Sequence, residues 1–193
     1  MNYYLPKTVI VGGESLQIRY DFRVILEILE MLGDPELDAA DKAEALITMF
    51  YVEPERLKNA KEAVEQCYNF IDMGEQNNTK SPRLVDWEQD FNYIIAPINR
   101  VLGREVRDIP YDVETNTGGL HWWTFMGAYM EIGGDCMFSQ IVSIRDKKAR
   151  GKKLEKHEKE WLRRNSHIVN FKRKYSETEN VLAKEWMGGG KNG

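Results

Sequence analysis

The chain has 193 residues and a mass of 22.5 kDa, with 42% hydrophobic residues, 30% charged residues and a net charge of −4. Its 5 Trp, 9 Tyr and 7 Phe need an interior, which excludes a chain disordered throughout and suits one domain with a sizeable core. Apolar runs such as Val24-Ile25-Leu26 are broken by charge well short of the roughly 20 residues a bilayer span requires.

Met1 to Lys7 has no basic stretch followed by an apolar one, so no signal peptide is expected and the protein reads as soluble and intracellular. Thr8-Val9-Ile10-Val11 is β-branched, Gly12-Gly13 is a turn signal, and Ser15 to Tyr20 alternates polar with apolar. A β-hairpin over 1–20 follows, with Leu16, Ile18 and Tyr20 on the face that lies against helices. Asp21 caps a predicted helix carrying Phe22, Ile25, Leu26, Ile28, Leu29 and Leu32, which Gly33 stops. Asp38 caps a second with Leu46, Ile47 and Phe50. Pro54 opens a third, in which Leu57, Ala60, Val64, Tyr68 and Ile71 form the stripe and Cys67, beside it, reads as core.

The stretch Gly74 to Pro82 has no apolar residue and is predicted to be a linker inside the helical domain. Asp86 caps the next helix, with Trp87, Phe91, Ile94, Ile95, Ile98 and Leu102 inward and Gly103 at its end. Pro97 removes one backbone bond there, so a kink near Tyr93 is expected. A polar loop ends at Asn116-Thr117-Gly118-Gly119, before an aromatic helix with Trp122, Phe125, Met126 and Tyr129 on one face and Trp123 about 100° away. Met137, Phe138, Ile141 and Ile144 begin another helix, which runs into a basic region continuing through Trp161. Ser176-Glu177-Thr178-Glu179 reads as a capping box for a last helix, and 188–193 as a disordered tail. The fold class expected is mainly α: one helical domain over 21–187 with the N-terminal β-hairpin packed on it.

The modest net charge hides an asymmetry. Residues 140–175 carry 13 Lys/Arg against 4 Asp/Glu, a balance of +9, whereas 1–139 carry 12 against 24, a balance of −12. Such a split suits a solvated helix face, an acidic partner, attraction between the halves, or nucleic acid bound through 145–174. The overall pI near 5.5 argues against dedicated nucleic-acid binding.

Motifs for catalysis are thin. His121, His157 and His167 lack zinc-ligand spacing, and Cys67 and Cys136 are too few for a disulfide framework. The Gly pairs are not followed by the Lys-Ser/Thr of a phosphate loop, and no Gly-x-Ser-x-Gly elbow occurs. No catalytic residue, metal site or cofactor is expected. Trp122 and Trp123 cannot both face one core, so one meets a second helix or waits for a partner.

Leu120-His121-Trp122-Trp123-Thr124-Phe125, a Gly-rich break, Phe138 to Arg145, then Gly151-Lys152-Lys153-Leu154 and Glu158-Lys159-Glu160-Trp161 carry a resemblance. With the hairpin and Asp21-Phe22-Arg23, this pattern resembles the gene-product-fifteen family of tailed phages and prophages of Gram-positive hosts. The resemblance implies a place among tail genes and a role like that of tail assembly chaperones. Such proteins bind the tape-measure protein and tail-tube protein in the host cytoplasm and have no catalytic residues. The partner-binding residues expected on that basis are Trp122, Trp123, Arg145, Lys147, Lys148, Lys152, Lys153 and Trp161, with no membrane partner and self-association left open. A structural tail or connector component of the virion is the alternative, and a nucleic-acid binder the third reading. Gly190-Lys191-Asn192 can be encoded by a slippery run of G and A, which would fit a frameshifted longer form; a polar tail explains it equally.

Overall fold

The computed structural model describes residues 3–75 and 81–172. The capping box at Ser176, the tail at 188–193 and most of the polar stretch after Gly74 lie outside these residues. The described chain is mainly helical, with an N-terminal antiparallel hairpin.

Strands β1 (Thr8–Val11) and β2 (Glu14–Gln17) pair with Val9 opposite Leu16 and Ile10 opposite Ser15. Gly12 and Gly13 turn the chain at φ 58° and 79°, the left-handed pair that matches the twist of two joined strands. Leu16, Ile18 and Tyr20 are buried, as the alternation predicts. The hairpin is tied to helix α2 (Ala39–Phe50) by Arg19 N–H to the Phe50 carbonyl and Val52 N–H to the Gln17 carbonyl. The Arg19 guanidinium also donates to the carbonyls of Thr48, Met49 and Tyr51, where the helix leaves acceptors unpaired and its dipole is negative.

Helix α1 (Phe22–Leu32) is capped by Asp21 and α2 by Asp38, as their sequences predict. Helix α3 (Ala60–Ile71) departs from expectation. Pro54 opens only a short 3-10 turn over Pro54–Arg56, and the chain is extended before Asn59 caps α3 through the Glu62 N–H. The face that α3 buries is Ala63, Cys67, Phe70 and Ile71, so Cys67 is core as expected, whereas Tyr68, placed on the stripe by its spacing, is exposed. The spacing of threes and fours fits both stripes. Packing against Phe50 and Tyr51 selects the one that presents Ala63, whose carbonyl accepts the Tyr51 hydroxyl at 2.9 Å.

Helix α4 (Trp87–Leu102) runs on through Pro97, with Ile94, Ile95, Pro97 and Ile98 buried and Gly103 closing it in the left-handed conformation. It touches α1, α5 (Trp122–Met130) and α6 (Met137–Ala149), which makes it the central element. The loop predicted before α5 contains two further short strands, β3 (Tyr111–Asp112) and β4 (Thr117–Gly118), paired antiparallel. Helix α7 (Lys156–Val169) occupies the basic region.

Among the described residues, the core falls into two clusters. The larger joins the hairpin to α1–α5 and reaches Phe138 of α6; the smaller is Ile141, Ile144, Ile168 and Val169, with Leu154, Trp161 and Leu162 packed on it. Among the described residues, no helix is long and apolar enough to cross a membrane.

Candidate partner-binding surface

The residues expected to meet a partner separate into two groups. Trp122 and Trp123 lie at the start of α5 and are directed at the end of α3. Trp122 is 1% exposed and donates its indole N–H to the Ile71 carbonyl at 2.9 Å; Trp123, half-buried, donates to the Phe70 carbonyl at 2.8 Å. These are acceptors of the last turn of α3, where carbonyls lack their i+4 partners; the Phe70 carbonyl also accepts the Met73 N–H. Trp122 stacks on Phe125, whereas Trp123 stacks on Phe70 at 5.9 Å between ring centroids. The second tryptophan therefore meets a second helix, and both indoles work as structural clamps.

His121 holds this corner together. Its Nδ1 accepts the Trp123 N–H at 3.1 Å and so caps α5, which leaves Nε2 to donate to the Pro6 carbonyl at 2.8 Å. The ring is buried and stacked on Tyr20. Burial pushes its pKa below the ordinary histidine value, and nearby Lys7 adds to this against the Pro6 bond. Backbone bonds from Phe22 N–H to Leu120 and from Trp122 N–H to Tyr20 zip the start of α1 to the start of α5. Asp21 completes the junction, one oxygen capping α1 and the other accepting the Leu120 N–H. Burial raises the Asp21 pKa against those bonds.

Arg145, Lys147, Lys148 and Trp161 are brought together at α6 and α7, but they are not equivalent. Arg145 is 5% exposed and is structural here. Its guanidinium grips both carboxylate oxygens of buried Asp90 on α4 and donates to the carbonyls of Leu84, Ile168 and Val169, so all five N–H groups are used. Phe171 covers this ion pair, with Arg145 at 4.1 Å and Arg83 at 5.2 Å from its ring centroid. Gln89 fastens the same segment by donating to the Ile168 and Asn170 carbonyls and accepting from Lys172 N–H.

Lys147 pairs with Glu158 at 2.6 Å, and Lys148 donates to the Asn170 side chain. Lys147 holds the Glu158 carboxyl below its ordinary pKa. Lys152 and Lys153 are exposed in the turn between the helices, which Gly151 initiates at φ 65°. Trp161 packs half-buried on the smaller cluster and forms one wall of an open cleft of about 390 Å³. Ser143 and Ile144 of α6 face His157, Glu158 and Trp161 of α7 across that cleft.

Sequence reasoning missed Asp90, Gln89 and Phe171, the residues that anchor α7. Asp90 had a usable signal, since an acidic residue recurs four positions after the cap Asp86, whose N–H it accepts. Among the described residues, no group of three or more His, Cys, Asp or Glu could hold a metal ion.

The family model described as Bacteriophage Gp15 protein matches residues 1–171. No curated protein and no solved structure matches the chain. The molecule is thus a mainly helical bacteriophage protein, and it belongs to the Bacteriophage Gp15 protein family.

Proposed function

We propose that this phage protein is a non-enzymatic assembly factor of tail morphogenesis, similar to a tail assembly chaperone. In this reading it binds the tape-measure and tail-tube proteins in the cytoplasm of the bacterial host. The observation that supports it is the cleft between α6 and α7: concave, walled by Trp161 and Ile144, and flanked by exposed cations. A protein that holds partly folded clients needs apolar surface open to them and charge elsewhere to stay dispersed. Of the residues expected to contact a partner, Lys152, Lys153 and Trp161 retain accessible surface suited to that role, whereas Trp122 and Arg145 are consumed inside the fold.

The test is co-expression with the tape-measure protein encoded nearby, followed by pull-down and a solubility assay. Co-purification with a gain in soluble tape measure is the expected result. Failure of both, with any longer translated form also present, overturns the proposal. Mass spectrometry of purified particles adds a second discrimination, since an assembly factor is absent from the virion and a structural tail or connector component is present.

A further inference from the structure

We infer that the α6–α7 cleft is a docking groove for an acidic protein segment bearing an apolar anchor side chain. This deepens the assembly-factor reading and rests on it only in taking the occupant to be protein. The cleft volume of about 390 Å³ lies at the small end of the roughly 300–1,000 Å³ typical of binding pockets, room for an anchor side chain and its neighbours. The Trp161 ring and Ile144 give that anchor an apolar wall, while Ser143 and His157 offer polar groups to the flanking backbone.

Charge selects the sign of the occupant. Among the described residues, Lys152, Lys153, Lys156, Lys159, Arg163 and Arg164 make no ion pair, and all six are exposed. Helical spacing sets His157, Trp161 and Arg164 along one stripe, so a cation stands one turn beyond the aromatic wall. Glu158, the carboxylate lining the cleft, is already neutralised by Lys147 and accepts the Glu155 N–H. An anionic segment therefore meets uncompensated positive charge and no free negative wall. A nucleic acid backbone would be served by the cations alone and would leave the apolar wall of Trp161 and Ile144 unused.

The probe is a fluorescein-labelled peptide of about 15 residues, four turns of helix, rich in Asp and Glu with Leu and Trp spaced i, i+4. Its binding to the full chain is read by anisotropy, beside a peptide with Ser for Leu and Trp, one with Lys for the acids, and a single-stranded oligonucleotide. The acidic anchored peptide is expected to bind at least about tenfold more tightly than all three, and to weaken about tenfold between about 0.05 and 0.3 M salt. Lys156→Glu with Arg164→Glu, both exposed, is expected to weaken it about tenfold with an unchanged melting temperature. Trp161→Leu is expected to weaken the anchored peptide alone. No binding, equal binding without the anchors, equal binding of the oligonucleotide, or indifference to the α7 charge reversals each overturns the inference. If peptide binding fails while the tape-measure protein is still made soluble, the groove is wrong and the assembly role stands. If the peptide binds and the tape measure is not made soluble, the assembly role fails by itself.

Discussion

Arg145 and Asp90 are 55 residues apart in sequence, and their side chains meet where almost no solvent reaches. A cation in a basic stretch reads as surface because charge patterning carries no information about a partner that far away. The burial makes two substitutions unequal. Asp90→Asn keeps one oxygen for the Arg145 Nη1 and Asp86 N–H groups but turns an amide NH2 toward Arg145 Nη2 and removes the countercharge, so it is expected to lower unfolding stability by about 2–3 kcal/mol. Arg145→Met strands a buried carboxylate and three carbonyls at once, for about 3–5 kcal/mol. Urea unfolding of both variants checks the order; equal losses would mean that the carbonyl bonds contribute nothing. His121 makes a pH prediction. Its folded pKa is depressed, so below the ordinary value of about 6.5 the unfolded chain takes up a proton that the folded chain refuses. Stability therefore falls as pH drops from about 6.5 toward the lower folded value and then levels. Asp21, with its pKa raised by burial, works in the opposite sense. His121→Asn retains a capping acceptor without the titration, so its melting temperature should be flatter than the parent's across that window.

At the scale of elements, most of the helices were legible because their ends are chemically marked. Asp21, Asp38 and Asp86 cap α1, α2 and α4 as side-chain acceptors, and Gly103 ends α4. The hairpin was legible because Gly12-Gly13 and the alternation of Leu16, Ile18 and Tyr20 specify turn and face together. What stayed hidden was decided by contacts between elements. The α3 stripe shifted toward Cys67 because Phe50 and Tyr51 chose it, and β3–β4 is too short to carry a periodic signal. Helix α7 was hidden because its apolar residues are sparse and its closing partners lie on α4. The α6–α7 site was half visible: the cations and Trp161 stand out in sequence, but the cleft exists only once Arg145 fixes the crossing. The β3–β4 loop supplies the prediction at this scale. A Cβ on Gly119 would stand 2.2 Å from the Asp21 carboxylate, with φ at 76°, whereas Gly13, at φ 79°, has open space around it. Gly13→Ala bears backbone strain alone, about 1 kcal/mol. Gly119→Ala also displaces the α1 cap and is expected to lose about 2–4 kcal/mol by thermal or urea unfolding. Similar losses would show that Asp21 moves aside freely.

For the whole molecule, the division of the core sets where opening begins. The larger cluster runs from Val11 to Phe138 and holds its helices through many elements, whereas α7 closes on four buried aliphatic residues. Its C-terminal end is held by the Arg145 and Gln89 bonds to the carbonyls of residues 168–170, and its N-terminal end by the half-buried Lys147–Glu158 pair. A pair still partly open to solvent contributes less than a fully hydrogen-bonded buried one, so the far end of α7 depends on the Arg145–Asp90 ion pair. Native-state hydrogen exchange should therefore show α7 amides opening at lower free energy than amides of α1 and α4, as a separate cooperative unit. Asp90→Asn should widen that gap by loosening α7 while leaving α1 nearly unchanged. Were α7 and α1 to exchange together in both proteins, the two clusters would be one folding unit. The same hierarchy bears on the proposed groove, because an occupant that bridges α6 and α7 stabilises the element that opens first. A bound acidic peptide should then slow exchange in α7 well before it raises the global melting temperature. Protection spread evenly over α1, α4 and α7 would place the peptide elsewhere on the molecule.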